Sequence, residues 1–176
     1  MTDPVRIRPV AETDWDGIAA LEAGAYTPLG LTEGPAALRA KAAVSPGTCF
    51  VLHTGHRLAG YLLALPYPAF RYPGLAEEEE PAATARTAGG NLHLHDLVIA
   101  PGLRRRGMAQ RLLTRLGATA RSAGYRRISL VAVGDSQRFW SARGFAAHPG
   151  IVAPGSYGAG AVYMSKRVPM APLEVS

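Results

Sequence analysis

Residues 91–124, NLHLHDLVIAPGLRRRGMAQRLLTRLGATARSAG, constrain the fold more than any other stretch of the chain. The segment first alternates, with His93 and His95 on one side and Leu92 and Leu94 on the other, then turns uniformly apolar at Leu97, Val98 and Ile99. Period-two alternation running into a short apolar block predicts a strand that begins half-exposed and ends buried. Pro101 and Gly102 break it. Met108, Leu112, Leu113, Leu116, Ala120 and Ala123 then recur at helical spacing, with Arg111, Arg115 and Arg121 largely between them, and Gly124 ends the run. That is an amphipathic helix.

A buried strand, a tight loop and a helix start together make a place for an anion. The first backbone N–H groups of a helix have no intrahelical partner, and the helix dipole adds partial positive charge there. In the intervening loop, Gly107 and Ala109 have almost no side chain to hold a phosphate away from the backbone, and Arg104, Arg105 and Arg106 surround them. The loop lacks both the G-K-S/T ending of a Walker loop and the G-x-G-x-x-G of a dinucleotide fold, so those two readings lose support.

The loop does match R/Q-x-x-G-x-G/A, with Arg104, Gly107 and Ala109 in the defining places. Taken with the preceding HDLVIAP, the following helix and FWSARGF at residues 139–145, it resembles the GNAT superfamily of N-acetyltransferases. The likeness covers nearly the whole chain and thins over residues 66–90. It implies an acyl-CoA donor, acetyl-CoA first among them, and an amine acceptor, either a small molecule or a protein N-terminus or lysine. It places the cofactor phosphates on Arg104, Arg105, Arg106, Gly107, Met108, Ala109 and Gln110, and the acetyl and pantetheine arm along the backbone of Leu97, Val98 and Ile99. Ser136 reaches the same arm or caps a helix, and Trp140 packs beneath it. The resemblance also implies a splayed opening between the central strand and the next.

Length and charge bound the alternatives. A chain of 176 residues suits one domain with a single core, here read as residues 1–176 with its structured part over about 5–168. No apolar run approaches the roughly 20 residues of a membrane span, and MTDP is not a signal peptide, so a cytoplasmic protein with no membrane partner is expected. The single Cys49 excludes an internal disulfide, and no Cys/His spacing suggests a metal. A net charge of +6 raises nucleic acid as a partner. The arginines, however, are spread along the amphipathic helix and the phosphate loop without interleaved aromatics, and a polyanionic cofactor accounts for them, so no nucleic acid is expected. A homodimer is left open.

Along the chain, residues 5–10 alternate as a first strand, and Thr13 to Asp16 can cap a helix reaching about residue 25. Pro35 opens a second helix through about residue 44. Residues 48–53 and 57–65 read as a hairpin about Thr54, Gly55 and His56, whose two flanking histidines, His53 and His56, are turn residues. Residues 66–90, rich in Pro, Ala, Gly and Glu, read as a long mobile loop whose Glu77 to Glu80 run is either solvated or attractive to a cationic amine. A buried strand at 126–133, a short helix at 137–143 and a last strand at 159–167 complete the pattern. The expected fold is mixed α/β, a twisted mixed sheet of about six to seven strands with helices on both faces.

Acyl transfer to an amine needs a base for the ammonium proton, donors for the oxyanion, and charge stabilisation or a proton for the leaving thiolate. Positions two apart on a strand face the same way, so His93 and His95 are expected to look into one cleft, and histidine titrates in the useful range. By resemblance, this pair falls where the arylalkylamine N-acetyltransferases carry two histidines. His93 falls where the superfamily's histone acetyltransferases carry a glutamate base. The alternative is a structural hydrogen bond for one or both. Asp96 is expected on the opposite side of the strand. Many family members place a tyrosine hydroxyl near the thiolate where this chain has Trp140, so Tyr157 or Tyr163 substitutes or no side-chain acid is used. Tyr26 falls in the loop that by resemblance borders the acceptor. The competing class is a non-catalytic CoA-binding or interaction domain, which would keep the phosphate loop and be indifferent to both histidines.

Overall fold

Seven strands form one mixed sheet in the order β1-β2-β3-β4-β5-β7-β6. A computed structural model describes residues 3–75 and 89–169. The strands are β1 (Val5–Pro9), β2 (Cys49–Thr54), β3 (Arg57–Pro66), β4 (Asn91–Ile99), β5 (Arg127–Ala132), β6 (Ala146–His148) and β7 (Val162–Arg167). Helices α1 (Trp15–Tyr26) and α2 (Pro35–Val44) precede the hairpin, α3 (Met108–Ser122) joins β4 to β5, and the short α4 (Gln137–Ser141) precedes β6. Among the described residues only β4 and β5 run parallel, as a strand–helix–strand crossover requires, and the other strand pairs are antiparallel.

Alternation along the strands splits the core between two faces. Phe50, Leu52, Leu62, Ala64, Leu92 and Leu94 point to one side, where Leu112, Leu116 and Ala120 of α3 meet them. Cys49, Val51, Tyr61 and Leu63 point to the other, against Trp15 and Ile18 of α1 and Leu38 and Ala42 of α2. Leu112 and Leu116 are almost wholly removed from water, and burial of such a side chain contributes about 1.5–3 kcal/mol. The stripe read from the sequence is therefore what fastens α3 to the sheet. Gly60 lets β3 and β4 close up: a Cβ there would lie 2.9 Å from the Val98 carbonyl oxygen.

Two features of β4 depart from regular strand geometry, and both shape the site. The register against β3 pairs Leu63 with Asp96 and Ala64 with Leu94, so His95 is an extra residue on β4, a bulge. Before it, Leu92 and Leu94 face α3; after it, Leu97 and Ile99 face α3 and Val98 faces α1. The bulge thus reverses the parity, and Asp96 comes to the α1 side together with His95, against the expectation of opposite faces. The second feature is a split. β4 pairs with β5 only at Asn91, Leu92 and His93. Past His93, β4 continues along β3 to Ile99 while β5 continues along β7 to Ala132, so the two central strands diverge. This is the opening that the family resemblance implies.

The short strand β6 carries no sequence signal of its own and exists through its pairing with β7. The last strand begins at Val162, later than expected, after a turn-rich stretch in which Gly158 and Gly160 adopt positive φ. Residues 67–75 are tied down: the Tyr67 N–H donates to the Asn91 carbonyl, the Phe70 N–H to the Tyr163 hydroxyl and the Tyr157 hydroxyl to the Pro73 carbonyl. The remainder of the predicted loop, with the Glu77 to Glu80 run, lies outside the described residues.

Candidate active site

The split between β4 and β5 opens into a cleft of about 570 Å³. Its walls include Leu97, Val98 and Ile99 from β4, Arg104, Arg105 and Gly107 from the loop, and Met108, Ala109 and Gln110 from the start of α3. Ser136 and Trp140 line the far side. Of the residues expected to hold the acyl donor, Arg106 alone does not line this cleft. The loop curls because Arg105 and Gly107 both take left-handed backbone angles, φ 63° and 77°, a conformation that turns backbone N–H groups inward around an anion. The first intrahelical bond runs from the Arg111 N–H to the Gly107 carbonyl, leaving the N–H groups of Met108, Ala109 and Gln110 for a ligand. Arg104 Nε donates to the Ile99 carbonyl at 3.2 Å, fastening the loop to the end of the strand.

Ser136 Oγ donates to the Val133 carbonyl, and no side-chain capping bond to α4 forms. Trp140 packs edge-on between Phe139 and Phe145 and lines the cleft.

A smaller chamber adjoins the inner end of the cleft, lined by residues that include Tyr26, Leu31, Glu33, His95, Asp96 and Tyr157. Tyr26 lines both cavities and stands between them. The bulge drives the His95 side chain into this chamber, where it is 1% exposed. His95 Nε2 lies 2.6 Å from Glu33 Oε2, and Glu33 Oε1 accepts from Lys41 Nζ at 2.7 Å. Burial pushes the Glu33 carboxyl up, but the hydrogen bonds and charges of His95 and Lys41 outweigh it and bring the group to about 2. Glu33 is therefore a carboxylate, which only accepts, so Nε2 must carry the proton of that bond. His95 Nδ1 is buried and has no partner among the described residues.

Glu22 supports the arrangement from α1, accepting from the Thr32 hydroxyl and the Glu33 N–H, both at 2.8 Å. Asp96 holds the other side of the chamber. The Tyr26 hydroxyl donates to its Oδ1 at 2.7 Å and the Tyr61 hydroxyl to its Oδ2 at 2.6 Å. Burial nevertheless dominates and raises its carboxyl to about 6.

The two histidines do not share one cleft. His93 is 1% exposed and lines neither cavity. Its Nδ1 meets Ser129 Oγ at 2.9 Å, and its ring stacks on Tyr163. Burial, helped by the charge of His95, lowers it from 6.5 to about 3, so it is neutral and internal. Tyr157 lines the chamber, but its hydroxyl proton is given to the Pro73 carbonyl and burial pushes its pKa up, so it is not poised to protonate a thiolate. The Tyr163 hydroxyl lies away from the cleft, accepting from the Phe70 N–H.

Glu33, Lys41 and Glu22 carried no motif in the sequence. One signal was available: Glu22 follows Ile18 by one helical turn, and Lys41 sits between Leu38 and Ala42, so each ionisable group falls on the buried stripe of its helix.

These buried groups set the acid limit of the fold. Below pH 6.5 the unfolded chain protonates His93, which the native state resists until about 3, so stability drops as pH falls across that window. Native Asp96 takes its proton near 6 and the unfolded chain only near 3.8, so stability rises as pH falls between those values. Each slope is at most about 1.4 kcal/mol per pH unit, and the two oppose. Glu33 contributes stability above 4.5 that is lost as pH falls toward 2. The expected profile is nearly flat from about 6 to 4.5 and steep below 3.8, where His93 and Glu33 act together. Urea midpoints measured from pH 7 to 3 check it; a uniform decline beginning at pH 7 would contradict these assignments.

Residues 15–145 match the model of the acetyltransferase (GNAT) family. No curated protein matches the chain. Among solved structures it is similar to the GphF GNAT-like decarboxylase in complex with isobutyryl-CoA, with TM-score 0.72 and 22% identity over 93% of this chain and 100% of that one. A GNAT family acetyltransferase from Brucella melitensis in complex with acetyl-CoA matches with TM-score 0.62 and 18% identity over 97% and 92%. The ribosomal-protein-S18-alanine N-acetyltransferase from Escherichia coli matches with TM-score 0.65 and 12% identity over 98% and 99%.

Proposed function

The chain belongs to the acetyltransferase (GNAT) family, and we propose that it transfers an acyl group, acetyl first among them, from acyl-CoA to an amine by direct attack. The observation that carries this reading is His95. Its imidazole is oriented by Glu33 through Nε2 and lines the chamber beside the cleft, and its buried Nδ1 has no partner among the described residues. A non-catalytic coenzyme A-binding domain has no use for such a group.

In this mechanism the phosphate loop and the start of α3 hold the donor's anionic end, and the β4 edge left open by the split faces its pantetheine arm. An ammonium entering the chamber gives a proton to His95 Nδ1. The imidazolium that forms is stabilised by the Glu33 carboxylate. The amine nitrogen then bonds to the thioester carbon, the carbon–sulfur bond breaks, and the second proton shed by the nitrogen passes to the departing thiolate, leaving amide and thiol while His95 returns its proton to solvent. Unpaired backbone N–H groups of β4 past the bulge are the available donors to the oxyanion.

GphF is a decarboxylase. In the present chain the chamber presents two acidic side chains, Glu33 and Asp96, which disfavour an acyl group carrying its own carboxylate and favour a cationic amine.

The test is calorimetric titration with acetyl-CoA followed by thiol release with a panel of amines. Micromolar binding and amine-dependent thiol release are expected. Absence of binding would overturn the donor site, and binding with no amine-dependent release would overturn the transfer reading.

A further inference from the structure

The chamber around His95 is small and stiffly walled, and its shape selects among amines. Its volume is about 40 Å³, room for about three water-sized atoms. The far wall is Tyr157, which cannot swing freely. Its hydroxyl is bonded to the Pro73 carbonyl, and its ring meets Tyr72 edge-on at 5.4 Å. The Tyr72 hydroxyl in turn accepts from the Ala153 N–H at 2.8 Å. Two neighbouring segments of chain are thereby stapled across the chamber. Charge adds a second condition. Glu33 and Asp96 face the space while one lysine, Lys41, backs Glu33, so an incoming cation is favoured and an acceptor bearing a carboxylate is disfavoured.

We infer that the acceptor is a primary amine on an unbranched methylene, –CH2–NH3+, and that amines branched at the nitrogen-bearing carbon, including the α-amino groups of polypeptides, are excluded by size. This rests on the acyl-transfer reading above. An aminomethyl group brings two non-hydrogen atoms to the chamber. An α-amino group brings its nitrogen, Cα, Cβ and carbonyl carbon together, and it turns the carbonyl oxygen toward two acidic side chains. In this inference the nitrogen is received by His95 Nδ1, which has no hydrogen-bond partner among the described residues.

The experiment compares n-butylamine with sec-butylamine, isomers of similar basicity that differ only in branching. One extra or missing methylene in a hydrophobic pocket changes discrimination about 10–200-fold; in this partly polar chamber a preference near the lower end, about 10-fold in kcat/KM for n-butylamine, is expected. Leu31→Ala, which opens the wall without touching the base, should reduce the preference. Turnover of Nα-acetyl-lysine amide at a rate like that of n-butylamine assigns the chemistry to lysine side chains; turnover of n-butylamine alone assigns it to a free amine. Both support the unbranched class. Equal turnover of the two isomers overturns it, as does faster turnover of alanine amide.

An equilibrium arm separates this inference from the transfer reading. n-Butylammonium should shift the His95 imidazole NMR signals, identified by their loss in His95→Gln, and sec-butylammonium should leave them in place. That result with no acetylation would sink the transfer reading and keep the chamber's selectivity. Equal shifts, or none with either amine, would overturn the selectivity itself.

Discussion

Replacing Gly107 by Glu is expected to weaken acetyl-CoA binding by roughly 10²–10⁴-fold. Gly107 caps α3 with φ 77° and contributes to the concavity that faces the cleft. A Cβ built there meets nothing within 4 Å, so the new side chain has no steric reason to be expelled. It would place a carboxylate where the donor's phosphates belong and compete for the N–H groups of Met108 and Ala109. Hydrogen bonds to charged groups contribute about 1.5–3 kcal/mol each, and losing two of them gives the stated range. Gly107→Ala is the control. It adds only the cost of a left-handed alanine, about 1–2 kcal/mol of stability, and should leave affinity within a few-fold. Calorimetry reads the affinity and thermal unfolding reads the fold. Wild-type affinity in the Glu variant would remove the phosphate loop from the proposal.

His95→Gln is expected to lower kcat by about 10²–10⁴-fold near neutral pH, the range typical of a lost general base. KM for acetyl-CoA should change little, because His95 lines the chamber and is absent from the walls of the cleft. The deficit should narrow as pH rises toward the amine's own pKa, where the acceptor deprotonates without help. A deficit that is constant with pH would make His95 a positioning group. Glu33→Asp separates orientation from charge. The shorter carboxylate can keep Lys41 company and still lose its reach to Nε2, so turnover should fall while the buried charge balance is retained. Removing the charge altogether would take a carboxylate away from Lys41, whose side chain is 0% exposed, and destabilise the fold for reasons unrelated to catalysis.

The cleft proposed for the donor was largely legible in the sequence because it is built by neighbours along the chain. Strand, loop and helix start are consecutive from residue 91 to 110, and their glycine, arginines and backbone N–H groups need no distant residue to become a phosphate site. Arg106 is the exception among the predicted contacts, since a side chain's direction in a loop depends on what the loop packs against. The chamber proposed for the acceptor was legible only at His95. Its partner Glu33 lies 62 positions away, between two helices, and is brought alongside by the packing of α1 and α2 on the sheet.

His93 and His95 show where the boundary falls. Alternation gave them one face, and both do lie on the α1 side, with ring centroids 6.5 Å apart. Their chemistry diverges because His93 stands at the last paired position of β4 and β5, where Ser129 and Tyr163 close over it. His95 stands on the bulge just beyond, where the strands have parted. The elements, the two-faced sheet and the curled loop before α3 could be read from the residues alone, since these follow from periodicity and from bonds between near neighbours. The tertiary structure decided which histidine lines the chamber, brought Asp96 to the same chamber and supplied Glu33. A one-residue shift in strand pairing and a contact between distant segments are settled by competition among packings, which no local pattern encodes.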